Sequence, residues 1–343
     1  MTIQEAIAKA LDRSDFTRPE AREVMNVIMS GQATEAQIAG FLIALRAKGE
    51  TSEEIAGCAE AMRAHVVTVE PTRTDLVDVV GTGGDGQCTI NISTAAALVA
   101  AAAGAGVAKH GNRAASSACG AADVLEELGF NLDLTPERIA RSIDELGFGF
   151  MFAQAHHPAM KYAGPVRKEL ATRTIFNILG PLTNPAGARC QMIGVYSKEL
   201  VRPIAEALVQ LGSERAFVVH GAGGLDELSP AGPNDVCEVR HGEVIDRVID
   251  PLDLGVPRCD LEELRGGGPT ENAAAIREVF QGSNGGRRNA ILLNAAGAIA
   301  AAGLAEDLAE GLEIAIQTVA SRKAEERLEQ LIAFSNEPAG VRG

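Results

Sequence analysis

Apolar residues recur at helical spacing from the start of the chain, with Ile3, Ile7 and Leu11 on one face. Thr17-Arg18-Pro19-Glu20, Thr34-Glu35-Ala36-Gln37 and Thr51-Ser52-Glu53-Glu54 each place a threonine three residues ahead of a Glu or Gln. In that pattern side chain and backbone cap one another at a helix start. Gly31 and Gly49 stop the helices that precede the second and third of these boxes. Four short helices by about Val67 bury little surface on their own, so they need a larger body or a second copy to cover them. Val, Thr and Pro take over between Val67 and Asp75, which marks a boundary.

Beyond Asp75 the periodicity alternates between strand and helix. Residues 75–80, 148–152, 191–195, 216–219, 236–240 and 290–293 read as strands, and another strand carries Lys109. Helices are expected at 121–128, from Thr135 onward, and at 201–211, 271–280, 296–305 and 308–334. Such alternation predicts an α/β fold around a largely parallel sheet. Residues 159–174 read as a helix that interrupts the sheet pattern.

The stretch from Asp75 to Gly120 concentrates the candidate chemistry. A β-branched run leads into Gly81-Thr82-Gly83-Gly84-Asp85-Gly86, and Asn91-Ile92-Ser93-Thr94 then opens a long apolar helix. The next strand ends in Lys109-His110-Gly111-Asn112-Arg113. Glycines let backbone N–H groups approach an anion, and a helix start adds unpaired N–H groups. With two cations beside them, these elements predict a phosphorylated ligand. Gly81, Gly83 and Gly86 also satisfy the dinucleotide pattern G-x-G-x-x-G. That reading requires an acid about 20 residues on, and no Asp or Glu lies between Asp85 and Asp123. The Gly-Lys-Ser/Thr ending of a Walker loop is absent as well.

Asp226-Glu227 follows the strand ending near His220 on a glycine-rich loop. The carboxyl ends of strands line the ligand crevice of an α/β sheet, and adjacent carboxylates can hold a hard cation. Alone, the doublet reads first as a solvated acidic turn. Ser93 alone reads as a helix N-cap, Lys109 as a strand-end surface lysine, and Arg167 as a helix-surface arginine paired with Glu169. His156 and His157 read as lining residues rather than a metal pair.

Six segments together resemble the anthranilate phosphoribosyltransferase family. They are Gly81–Asp85, Asn91–Thr94, Lys109–Arg113 with Ser116 and Ser117, Pro165–Leu170, Asn177–Pro185 and Gly224–Ser229. They occur in the family's order and span essentially the whole chain. The resemblance implies the nucleoside phosphorylase-like phosphoribosyltransferase fold. A small all-helical domain would comprise 1–70, with 159–185 rejoining it, and a larger α/β domain 71–158 and 186–343. It implies transfer of phosphoribosyl from PRPP to the anthranilate amine in tryptophan synthesis, with Mg2+ as cofactor and no catalytic nucleophile or base. PRPP contacts would fall on Gly81, Gly84, Asp85, Thr89, Asn91, Ile92, Ser93, Thr94, Lys109, His110, Gly111, Asn112, Arg113, Ala114, Ala115, Ser116, Ser117 and Ala121. Anthranilate would meet Gly81, His110, Asn112, Arg167 and Gly180, and the metal Ser93, Asp226 and Glu227. Ala114 and Ala121 stand where the family often carries serine, so they offer no side-chain hydroxyl. A pyrimidine nucleoside phosphorylase is the enzyme alternative, matched less well at Pro165–Leu170 and Asn177–Pro185. A nucleic-acid-binding relative without catalysis is the other.

Composition narrows these readings. The chain has 343 residues, 46% of them apolar, enough for a main domain plus a smaller one. Its formal charge of −15 disfavours nucleic acid and anionic membranes as partners. An anionic substrate then needs a local reversal of charge, for which Lys109, Arg113, Arg167 and Arg173 are candidates. Six cysteines without a Cys-x-x-Cys pair argue against zinc and a disulfide framework, and fit a reducing cytoplasm. The first ten residues carry Glu5 and Lys9 at helical spacing, unlike a secretory leader. The apolar run 94–108 is too short to span a bilayer and reads as a buried helix. A homodimer is expected from the uncovered helical domain and from the resemblance.

Overall fold

The computed structural model describes residues 1–114 and 118–338. Helices α1 (Ile3–Leu11), α2 (Arg18–Met29), α3 (Glu35–Lys48) and α4 (Ser52–Arg63) form the opening bundle. Each of the three threonine boxes closes as expected, and Thr2 with Glu5 forms a fourth. The second body is built from β1 (Leu76–Gly81), α5 (Ile92–Ala103), β2 (Gly106–Gly111), α6 (Ala121–Leu128), α7 (Pro136–Leu146) and β3 (Phe148–Phe152). The chain then runs through α8 (Ala153–His156), α9 (Met160–Leu170) and α10 (Phe176–Leu179) before re-entering the sheet. There follow β4 (Cys190–Gly194), α11 (Val201–Gln210), β5 (Arg215–His220), β6 (Asn234–Arg240) and β7 (Glu243–Ile249). The closing helices are α12 (Pro269–Phe280), α13 (Gly286–Ala301), α14 (Leu308–Ala320) and α15 (Lys323–Asn336).

Seven strands form one sheet in the order β3-β2-β1-β4-β5-β6-β7. The first five are mutually parallel, and β6 and β7 run antiparallel at one edge. One face carries α5, α13 and their neighbours in a core rich in alanine. The other packs Ile193, Val195, Ala216 and Val218 against α11 and the opening bundle. Ala163, Val166, Phe176 and Leu179 from α9 and α10 belong to that second core, so the 160–179 segment returns to the bundle.

The residues read as a strand at 290–293 are instead the middle of α13. Thirteen of that helix's sixteen residues are buried, so it is apolar all round and loses the 3.6-residue stripe. The helix expected at 296–305 is the end of the same element. The long helix expected at 308–334 breaks at Arg322, which takes a left-handed φ of +64°. The apolar run 94–108 divides at Gly104 into the end of α5 and the start of β2. Strand β7 was not anticipated. It returns from β6 through His241 and Gly242, both at positive φ, the geometry of a two-residue hairpin turn. Among the described residues no helix is long and apolar enough to cross a membrane.

Candidate active site

The carboxyl ends of β1 and β2, with the segment that follows β3, open into a pocket of about 540 Å3. Its wall includes Gly81, Gly83, Gly84, Ser93, Lys109 to Ala114, His157, Arg167, Asn177 and Gly180. The sheet therefore brings the glycine loop, the basic strand end and the α9–α10 segment together around one space. Ala115, Ser116 and Ser117 lie outside the described residues.

Beside the glycine loop, a cradle of glycines lies under the acidic doublet. A Cβ on Gly81 would stand 2.4 Å from Asp226 Oδ2, one on Gly194 1.6 Å from the Asp226 carbonyl oxygen, and one on Gly221 2.1 Å from that of Glu227. Gly81 and Gly194 are register partners in β1 and β4, and Gly221 directly follows β5. Three neighbouring strand ends thus dispense with side chains so that the 226–227 backbone can lie against the sheet. Asp226 Oδ2 accepts the Gly83 N–H at 2.6 Å, and Glu227 Oε1 accepts the Ser93 N–H at 3.1 Å. The Asp226 N–H reaches Asp85 Oδ2 at 3.4 Å. Burial first, then mutual repulsion with Glu227 and Asp85, pushes the Asp226 carboxyl well above its ordinary range. Burial likewise raises Glu227 to about 7, against the pull of Lys109.

Lys109 is 1% exposed. Its ammonium donates to the Val79 carbonyl at 2.5 Å and to Ser93 Oγ at 3.4 Å, so it is a buried cation and not a surface lysine. Burial lowers its pKa while Asp78 and Glu227 oppose the shift. Asp78, in the middle of β1, is fully buried and raised to about 6 by desolvation. It accepts the His110 N–H at 3.1 Å and the Asn184 amide at 2.7 Å. Asn184 also donates to the Ala108 carbonyl at 2.8 Å, pinning β1 and β2 beneath the pocket. Neither Asp78 nor Gly194 and Gly221 stood out in the sequence. An aspartate inside a β-branched run was the one available signal.

Ser93 does not cap α5. Asn91 occupies the cap position, its side chain bonding the Cys119 carbonyl and Asn272. Ile92 is buried and offers only backbone. Thr94 is 1% exposed, and its hydroxyl has no partner among the described residues. Thr89 forms an isolated bridge with Arg265, and Gly111 makes room for Phe150 and Ala121. Ala114 donates its N–H to Asp123 at 2.9 Å, and Ala121 is the first residue of α6.

The local reversal of charge comes from fewer cations than expected. Arg113 is paired with Asp123 at 3.0 Å and Glu126 at 2.5 Å. Arg167 has no ion pair among the described residues, Glu169 included, and lies over the Phe176 ring at 5.3 Å. Asn112 is exposed at the rim, its side-chain oxygen accepting the Arg113 N–H at 2.8 Å. A Cβ on Gly180 would meet nothing within 4 Å.

Two histidines close this end of the pocket. His110 Nδ1 faces the Gly180 carbonyl at 3.3 Å, and a carbonyl only accepts, so Nδ1 carries the proton. His110 Nε2 is then an acceptor for His157 Nε2–H, 3.1 Å away. Burial drives His110 down to about 3 and His157 to about 4, so both are neutral. His156 instead turns to the Val67 carbonyl at 2.7 Å and does not line the pocket.

Comparison with known proteins agrees along the chain. A glycosyl transferase family helical bundle domain matches residues 4–66, and a glycosyl transferase family a/b domain matches residues 73–325. An anthranilate phosphoribosyltransferase of Geobacter sulfurreducens is 51% identical, over 98% of this chain and all of its own length. One from a Thermoanaerobacter species is 49% identical over 97% of this chain and 98% of its own. The crystal structure of the Thermus thermophilus enzyme superposes with a TM-score of 0.92 at 48% identity, covering 97% of this chain and 99% of that one. The Saccharomyces cerevisiae enzyme in complex with PRPP and Mg superposes at 0.87 with 30% identity, covering 97% of each chain.

Proposed function

The chain belongs to the anthranilate phosphoribosyltransferase family and moves phosphoribosyl from PRPP to anthranilate in tryptophan synthesis; from that premise we propose how its residues do so. The observation that carries the proposal is one pocket with free backbone donors and an unpaired arginine, whose glycine loop and α5 start are tied to a half-buried acidic doublet.

An aromatic amine is unprotonated near neutral pH, so no strong base is needed to make the nucleophile. The barrier lies in breaking the bond from C1 to the diphosphate, which calls for alignment and for stabilisation of the leaving charge. The glycine loop with Asp85 and Thr89, the start of α5 from Asn91 to Thr94, and the loop 109–117 with Ala121 hold PRPP. Of the backbone N–H groups at the α5 start and Ala121, those of Asn91, Thr94 and Ala121 are left for the substrate, since Ile92 bonds the Ile90 carbonyl and Ser93 bonds Glu227. Arg167 binds the anthranilate carboxylate through two parallel hydrogen bonds. Gly180 leaves space for the ring, Gly81 and the neutral His110 border it, and Asn112 orients the amine.

The acidic doublet fits a hard divalent cation. Its two partly buried carboxylates repel one another and have shifted upward, as uncompensated charges do. Among the described residues no group of three acidic, histidine or cysteine side chains is arranged to hold a metal ion, so the doublet would supply a partial oxygen shell. Magnesium characteristically completes such a shell with water and substrate phosphate. Asp226, Glu227 and the Ser93 hydroxyl would hold it, and it would supply neutralisation of diphosphate charge.

We further propose that residues 1–70 with 159–185 act as a helical domain facing the α/β domain across the pocket. Homodimerisation would use the exposed Leu11, Ile43 and Tyr162 of α1, α3 and α9. Six free cysteines support a cytoplasmic location. Loss of anthranilate fluorescence on mixing with PRPP and magnesium, matched by pyrophosphate release, tests the reaction. Asp226→Asn with Glu227→Gln is expected to abolish turnover in a folded protein, and EDTA to stop the unsubstituted enzyme. Turnover indifferent to both would remove the metal assignment.

A further inference from the structure

The glycine loop is gripped from a side that the site above does not use. Arg173 follows α9, where Ala171 takes a left-handed φ of +47° and turns the chain out of the helix. Its guanidinium lies over the Tyr196 ring, 3.9 Å from the centroid, and donates to the Gly84 carbonyl. Its own carbonyl accepts from the guanidinium of Arg46 on α3. Tyr196 in turn donates its N–H to Thr82 Oγ1 at 3.1 Å. Neither Arg46 nor Arg173 has an ion pair among the described residues, so neither charge is cancelled in contact. Arg173 is not part of the pocket wall, whereas Gly84 is. It reaches the loop from behind.

That contact has a geometric consequence. In a trans peptide the carbonyl and the following N–H point in opposite directions. Drawing the Gly84 carbonyl toward Arg173 therefore turns the Asp85 N–H away from it. Gly83 and Gly84 take left-handed φ values of +67° and +78°, a backbone path that favours glycine and leaves no side chain between the loop and a ligand. The Gly83 N–H is held by Asp226, while those of Gly84 and Asp85 have no acceptor among the described residues.

We propose that Arg173 is a positioning residue for the diphosphate end of PRPP. It sets the Gly84–Asp85 peptide so that the Asp85 N–H faces the substrate beside the free Gly84 N–H. Arg46 anchors it to the opening bundle, so the loop takes its binding conformation only when the bundle is seated. The inference rests on the PRPP assignment above. Lysine cannot replace the planar stack on Tyr196 while donating to a carbonyl in the same geometry.

The test is two-substrate kinetics on the whole protein with magnesium, PRPP and anthranilate. Arg173→Ala is expected to raise the KM for PRPP about tenfold or more, the scale of one charge-assisted hydrogen bond. The KM for anthranilate should stay within about twofold, since its arginine and slot are untouched. Arg173→Lys should fall between Arg173→Ala and the unsubstituted enzyme. Tyr196→Leu, which removes the stack, should shift the PRPP KM in the same direction by less. An unchanged PRPP KM in Arg173→Ala, or an equal rise in both KM values, overturns the inference. Should Arg173→Ala fail to fold, an unchanged PRPP KM in both Arg173→Lys and Tyr196→Leu does so instead. An unsubstituted enzyme that turns over PRPP while these variants keep its KM refutes the inference alone. An unsubstituted enzyme that does not use PRPP removes both readings.

Discussion

Substituting alanine for Gly194 adds one methyl group at the place where β4 meets the acidic loop. That methyl would stand 1.6 Å from the Asp226 carbonyl oxygen and 2.3 Å from its carbon. Both are backbone atoms, so no rotamer relieves the clash. To restore a 3.0 Å contact the 226 main chain must retreat by about 1.4 Å, or β4 must shift with its neighbours. A retreat of that size threatens the 2.6 Å bond from Gly83 to Asp226 and the 3.1 Å bond from Ser93 to Glu227 together. Overpacking of this kind costs about 1–3 kcal/mol, and misplacing a catalytic group by about 1 Å costs roughly 100-fold in rate. Gly194→Ala is therefore expected to melt several degrees lower yet stay folded at 25 °C, with turnover down roughly 100-fold. It should also need more magnesium for half-maximal rate. Fluorescence turnover across a magnesium titration, beside a melting curve by circular dichroism, measures both. A variant with the ordinary rate and magnesium requirement would show that the glycine cradle does not set the doublet. So would a rate that falls only in proportion to the folded fraction.

Other substitutions separate the ends of the pocket. Gly180→Ala meets nothing within 4 Å and Gly180 has φ of −50°, so its melting temperature should not move. Its methyl should raise the KM for anthranilate several-fold without changing that for PRPP, and an unchanged anthranilate KM would take Gly180 out of the slot. Arg167→Ala should raise the anthranilate KM by at least about tenfold through loss of a charged bidentate contact, and equal effects on both substrates would remove Arg167 from acceptor binding. The histidine pair predicts an acid-sensitive fold. His110 and His157 stay neutral down to about 3 and about 4, whereas the unfolded chain protonates them near 6.5. The unfolded state thus binds more protons below pH 6.5, and stability falls as pH drops toward 4, by at most about 1.4 kcal/mol per unit for each histidine. His157→Gln should flatten the melting temperature between pH 6.5 and 4.5, and an unaltered slope would contradict the assignment.

How much of this was legible in the sequence follows the range of each interaction. The threonine boxes are four-residue devices, and all those read from the sequence close. Residues 148–152 were bounded as a strand without error because the glycine and aromatic alternation there is local. The sheet faces of α13 could not be read, because burial on all sides erases the periodicity that tells helix from strand. The β7 hairpin was hidden for the opposite reason, its exposed edge mixing Glu243, Asp246 and Arg247 into the apolar pattern. Such charges keep an edge strand from pairing with other chains.

The site divides along the same line. Gly81 was visible through its motif, but Gly194 and Gly221 matter only because a loop from residues 226–227 folds back against them. Charge shows the limit most clearly. Lys109, Arg113, Arg167 and Arg173 are equal as letters, and each is near the pocket in sequence terms. Folding sets Arg113 between Asp123 and Glu126, seals Lys109 against the Val79 carbonyl, and leaves Arg167 and Arg173 without ion pairs among the described residues. In a chain of net charge −15, the free cations that recruit an anionic substrate are the ones no carboxylate has reached, and only the packing of α6, β2 and α9 decides which those are.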